Sequence, residues 1–166
     1  LQTTLNTAAF NDYCPNGLQV EGKTVISHII SGVTASQALI EVAVQRQASA
    51  LLVHHGWFWK GEDPRVLGTR RRRLATLLAH DLNLLAFHLP LDAHPVLGNN
   101  AQLAKVLGLV AEPATDSKGL LWFGSMPGAS TLAELASQVH QRLNRVPLVI
   151  GPDELAVQRI AWCTGA

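Results

Sequence analysis

Apolar residues recur along this chain in two rhythms. The runs Val25 to Val33, Ala50 to Val53 and Leu82 to Phe87 read as buried strands, while Leu39, Ile40, Ala43 and Val44, then Leu74, Leu77 and Leu78, recur at helical spacing. Thr34 or Ser36 can cap the first helix, about Gln37 to Arg46, and the second covers Arg70 to His80. The resulting β-α-β-α-β order predicts a parallel sheet. Right-handed crossovers bring the carboxyl ends of such strands to one edge, where open α/β folds bind ligands. Ahead of this unit, Leu1 to Phe10 reads as a helix that closes before the turn-rich Asn11, Asp12, Pro15, Asn16 and Gly17.

Further along, Asn99 or Asn100 can cap a helix that reaches Leu107 and stops at Gly108, and the polar, proline-containing Glu112 to Lys118 reads as a boundary. Beyond it the pattern predicts a strand over Leu120 to Gly124 and a helix opened by the capping box Thr131-x-x-Glu134. A strand over Val146 to Ile150 and a last one through Val157, Ile160, Ala161, Trp162 and Cys163 follow. The expected fold class is therefore α/β, with two linked α/β units and mostly parallel sheets. The first unit spans 1–111, and 112–166 is the start of a second. Because the chain begins without Met and stops just after a strand, both ends are expected to be cut, and truncation at the C-terminus leaves the second unit incomplete.

Composition adds bounds rather than direction. The 166 residues, 48% of them hydrophobic, suffice for a real core. Thirteen Lys and Arg against 12 Asp and Glu leave a net charge of +1, so nucleic acid is a possible but not a favoured partner. Cys14 and Cys163 form no paired framework, which suits a reducing cytosol. No apolar stretch reaches the roughly 18 residues of a membrane span. A soluble cytoplasmic protein without a membrane partner is the expectation.

The chemistry concentrates at two strand ends. His54-His55 closes one apolar run; His88 closes another, four residues before Asp92. Imidazole and carboxylate ligands suit divalent zinc, iron, manganese or nickel, and adjacent histidines leaving a strand could serve two ions bridged by a carboxylate such as Asp92. Two such metal ions are the expected cofactors, with His54, His55 and Asp92 as ligands. The simpler alternative is a histidine pair satisfied by backbone carbonyls or solvent. His88 could ligate, orient Asp92 or shuttle a proton, and is the candidate catalytic residue.

Other features are more open. After the histidine pair, Gly56-Trp57-Phe58-Trp59-Lys60 is an aromatic loop suited to stacking a planar base or to packing, with Trp57, Phe58 and Lys60 as candidate substrate contacts. Lys60 or Arg65 could meet a phosphate. Arg70 to Arg73 cannot all face one ligand from a helix, and His94 reads as a loop histidine. Neither a P-loop nor a G-x-G-x-x-G signature is present.

Together these residues resemble the YbgI-like proteins, a dinuclear metal family also described as GTP cyclohydrolase 1 type 2 homologues. The resemblance runs through Tyr13 with Pro15-Asn16-Gly17-Leu18-Gln19-Val20-Glu21-Gly22, Gly32-Val33-Thr34-Ala35-Ser36, and Val53-His54-His55-Gly56 with Phe58-Trp59-Lys60-Gly61-Glu62. It continues through His88-Leu89-Pro90-Leu91-Asp92-Ala93-His94-Pro95 and Leu97-Gly98-Asn99-Asn100. It implies metal ligands at His54, His55 and Asp92 and a homohexameric ring. The family's other ligands come from a His-x-x-x-Glu element, yet none of the seven histidines here is followed four residues later by Glu. The site in this chain is thus expected to be partial and to hold metal weakly. The function this implies is a dinuclear metal-dependent hydrolase, with an activated water attacking the purine ring or a phosphate ester of a nucleotide-like substrate. The alternative is a non-catalytic metal-binding scaffold, or a toroidal interaction protein handling nucleic acid or damaged nucleotides.

Overall fold

The computed structural model describes residues 1–112 and 118–165. Its chain divides into two compact units, Leu1–Pro90 and Leu91–Ala166. The division falls earlier than the expected 111/112 boundary, because the helix Asn99–Leu107 packs against the helix Leu132–Leu143 of the later segment. Sequence polarity marked the loop after that first helix but not its packing partner. Residues 113–117 of the expected boundary lie outside the described residues.

In the first unit, strands β1 (Gly17–Val20), β2 (Ile29–Thr34), β3 (Ala50–His55) and β4 (Asn83–Ala86) form one sheet in the order β1-β4-β3-β2. The strands β2, β3 and β4 are parallel, with Thr34 opposite His55 and Val53 opposite Ala86, so their carboxyl ends meet at one edge as expected. Helices α1 (Gln37–Gln45) and α2 (Gly68–Ala79) make the crossovers and pack on each other. Ser36 caps α1 by accepting the Leu39 amide. Ile40, Leu51, Leu77 and Leu84 are fully buried between sheet and helices, and Trp57 completes the same cluster.

Three local expectations change. Leu1 to Phe10 holds turns and a single 3-10 turn, Thr7–Ala9, because Asn6 adopts a left-handed φ of 49° that breaks a continuing helix. The second strand starts at Ile29 rather than Val25, since the Ser27 and His28 amides donate to the Ser49 hydroxyl instead of a ladder. Strand β1, antiparallel to β4, begins where the turn-rich stretch ends and is an element the pattern does not predict; at four residues with a bulge it carries no periodic signal.

The second unit contains α3 (Leu89–Ala93), which begins just ahead of it, then α4 (Asn99–Leu107), β5 (Val110–Ala111), β6 (Trp122–Ser125), α5 (Leu132–Leu143) and β7 (Ile160–Trp162). Gly108 ends α4 in the left-handed conformation, and Thr131 with Glu134 forms the predicted capping box on α5. The mostly parallel expectation holds for the first sheet and not here, because β5, β6 and β7 pair antiparallel. After α5 the chain makes a further pass, with Val157 donating to Ser130, before β7 runs back along β6. Val146–Ile150 forms no strand: Pro147 lacks an amide donor, and Leu148 is 90% exposed.

Candidate metal centre

Three histidines converge at the carboxyl edge of the first sheet. His54 and His55 are the last two residues of β3, and His88 follows β4 by two residues. One ring nitrogen from each lies within 4.8 Å of those from the other two. The ring centroids of His54 and His55 are 4.5 Å apart, and His88 stands 5.1 Å and 5.6 Å from them. All three side chains are half-buried.

Hydrogen bonds fix which nitrogen each ring can offer. The Nδ1 of His54 lies 2.9 Å from the Phe87 carbonyl oxygen, which can only accept, so Nδ1 carries the proton and Nε2 the lone pair. At His88 the same logic applies with a carboxylate, Nδ1 donating to Asp12 Oδ1 at 2.7 Å. The Nδ1 of His55 sits 3.5 Å from the Thr34 hydroxyl. Anchoring one ring nitrogen to a carbonyl or carboxylate is how metal-binding and proton-transferring histidines are held in orientation.

Asp12 is the residue the sequence did not announce. Its side chain is 3% exposed and accepts from the Tyr13 amide, Asn16 Nδ2, His88 Nδ1 and the Leu89 amide. Burial pushes the carboxyl up, but the bonds from Asn16, His88, Tyr13 and Leu89 outweigh it and hold the group below its ordinary value. Asn16 also accepts the His88 amide, so both ends of the loop before β1 brace His88. The neighbouring Cys14 thiol, buried and facing Asp12, is pushed up to about 11 and stays protonated. With Asp12 and His88 it forms a second group whose ligand atoms lie within 4.8 Å of one another.

The aromatic loop sorts by burial. Trp57 is 8% exposed, belongs to the core and donates its indole N–H to the Ala35 carbonyl. It also lines a groove with His55 and Trp59. Trp59 faces the histidines instead, its ring 4.9 Å from His88 and 6.0 Å from His55. Phe58 and Lys60 are exposed and line a groove with Asp12 and Tyr13. Gly56 permits this exit from β3, since a Cβ there would lie 2.1 Å from Gln19 Oε1 and 2.6 Å from the Ala86 Cβ.

Asp92 lies on α3, in the second unit, where it is buried and accepts from Asn99 Nδ2 at 2.8 Å and Thr164 Oγ1 at 3.3 Å. In the same unit His94 accepts the Val96 and Leu97 amides through Nδ1, which closes a turn. That supports its reading as a loop histidine.

Comparison with known proteins identifies the lineage of this arrangement. A family model described as Duf34/NIF3 (NGG1p interacting factor 3) matches residues 1–166. The chain belongs to this family. It is 53% identical over 162 residues to a GTP cyclohydrolase 1 type 2 homolog of Neisseria meningitidis serogroup A / serotype 4A, covering 98% of this chain and 65% of that protein. A GTP cyclohydrolase 1 type 2 homolog of Escherichia coli (strain K12) is 54% identical over 164 residues, covering 97% and 65%. Among solved structures, protein ybgI is similar with a TM-score of 0.91 at 53% identity, covering 99% of this chain and 66% of that one. TTHA1606 from Thermus thermophilus is similar with a TM-score of 0.77 at 36% identity, covering 94% and 65%. This DUF34/NIF3 chain thus spans about 65% of the length of the curated relatives it matches. Among its described residues, no helix is long and apolar enough to cross a membrane.

Proposed function

We propose that the chain carries part of a divalent metal centre and acts in a metal-dependent hydrolase for nucleotide-like substrates. The observation that carries this reading is the convergence of His54, His55 and His88, with Nδ1 of His54 and of His88 committed to oxygen acceptors. Neutral imidazoles are a fitting donor set for zinc, iron, manganese or nickel. His54 and His55 would hold metal. Asp92 joins them on the strength of the His88-x-x-x-Asp92 pattern, as the carboxylate that could bridge a second ion. When bound, a divalent ion supplies Lewis acidity and makes water nucleophilic near neutral pH.

His88 differs from the other two in leaning on a carboxylate, not on a backbone carbonyl. We assign it to proton transfer, with Asp12 as the positioning residue that keeps the Nε2 lone pair available. Trp59, beside both His55 and His88, is suited to stack a planar base. The nucleotide class draws on the relatives' names, and assembly into a homohexameric ring belongs to the same proposal. A panel of nucleoside triphosphates including GTP, offered to the manganese-, iron- or zinc-loaded protein at native length, tests the activity. Turnover that needs metal and is lost in His55→Ala supports a hydrolase. Bound metal with no turnover across the panel would favour a scaffold role instead.

A further inference from the structure

A groove of about 470 Å³ in the first unit is lined by His55 and Trp59 together with Thr69, Arg70 and Arg73 of α2. Arg70 and Arg73 stand three residues apart and share one helix face, while Arg71 and Arg72 are exposed and do not line the groove. The acids in the groove are already engaged. Asp63 holds Arg65 through contacts of 2.6 to 3.0 Å, and Glu62 lies 3.9 Å from Arg70. Arg70 is further positioned by donating to the Asp63 carbonyl and by lying 5.3 Å above the Phe58 ring. Arg73 has no ion pair among the described residues, and its Nε is buried without a hydrogen-bond partner. That atom is closed to solvent, so a ligand in the groove would meet the terminal guanidinium nitrogens, and a guanidinium without a carboxylate partner suits an anionic oxygen. Helix α2 also opens without a side-chain cap or an acidic residue in its first turn, so its positive end stands uncompensated beside the same groove.

We infer that this groove is the phosphate subsite of the substrate, with Arg73 and Arg70 binding phosphate oxygens beside His55. The inference deepens the hydrolase reading and takes its substrate class from it. It also moves the phosphate contact away from Lys60, which does not line this groove, and from Arg65, whose charge Asp63 neutralises.

Inorganic tripolyphosphate, titrated by calorimetry into the metal-free protein, tests it without involving the metal. Arg73→Gln should weaken binding about tenfold or more, whereas Arg71→Gln, which removes the same charge from an exposed position, should change it by less than about twofold. If Arg73→Gln melts below the assay temperature, Arg70→Gln carries the same expectation. Equal losses in the groove and exposed variants, or no binding by the wild type, would overturn the subsite. Metal content is measured in parallel. A wild type that takes up no metal refutes the metal centre and leaves the titration valid, while metal uptake with tripolyphosphate binding indifferent to Arg73 refutes the subsite alone.

Discussion

Replacing Asp12 by Asn probes the brace behind His88 with almost no change in shape. Each carboxylate oxygen accepts two bonds: Oδ1 takes the Tyr13 amide and His88 Nδ1, and Oδ2 takes Asn16 Nδ2 and the Leu89 amide. An amide at this position offers one oxygen and one NH2, so whichever way it turns, two donors meet a donor. His88 can relieve its contact only by moving its proton to Nε2, which removes the lone pair that faces the site. Asn16 can relieve its own only by turning its oxygen away from the His88 amide. With two donors left facing a donor and two charge-assisted bonds gone, the first unit should lose about 3 kcal/mol. Because the chain has two compact units, hydrogen exchange is the suitable assay. The slowest amides of β3 and β4 should exchange about 100-fold faster in Asp12→Asn, the equivalent of that loss. A change of less than about threefold would show that the four-bond brace contributes little, and with it the case for Asp12 as a positioning residue.

Other expectations concern His88 and the second unit. His88→Ala should keep its metal while turnover falls about 10²- to 10⁴-fold, and loss of metal by elemental analysis would instead make His88 a ligand. In the second unit, the Ser130 amide and hydroxyl and the Thr131 amide hold the Glu134 carboxyl below its ordinary value. A depressed carboxyl stabilises the fold above its unfolded value and loses that contribution as pH falls through the folded one. Thermal melts should therefore drop in the acid range, below about pH 4, more steeply for wild type than for Glu134→Gln. Parallel profiles would show that the capping box does not set acid stability.

Much of the framework was legible because it is periodic. The β-α-β-α-β order, the Ser36 cap, the Gly108 stop and the Thr131 and Glu134 box all follow from local chemistry, and they suffice to bring His54, His55 and His88 to one edge. What the pattern missed depends on contacts distant in sequence. Asp12 lies 76 residues from His88 in a stretch that reads as a turn, and no local signal marks it as a partner. Trp57 and Trp59 are indistinguishable by composition, and only the path beyond Gly56 sends one into the core and the other toward the histidines. The four residues Arg70 to Arg73 diverge too far to face one ligand together, yet a pair three apart shares the groove with His55. In the second unit, a strand read through Pro147 failed for want of a donor, and the pairing direction of β6 and β7 depends on a chain path that periodicity does not encode.

The most direct test is metal content. Protein at native length, equilibrated with zinc or manganese and dialysed, should retain metal by elemental analysis, and His54→Ala and His55→Ala should each lose most of it while keeping a wild-type circular dichroism spectrum. Metal retained at the wild-type level in both folded variants would contradict the assignment of the His54 and His55 pair as ligands.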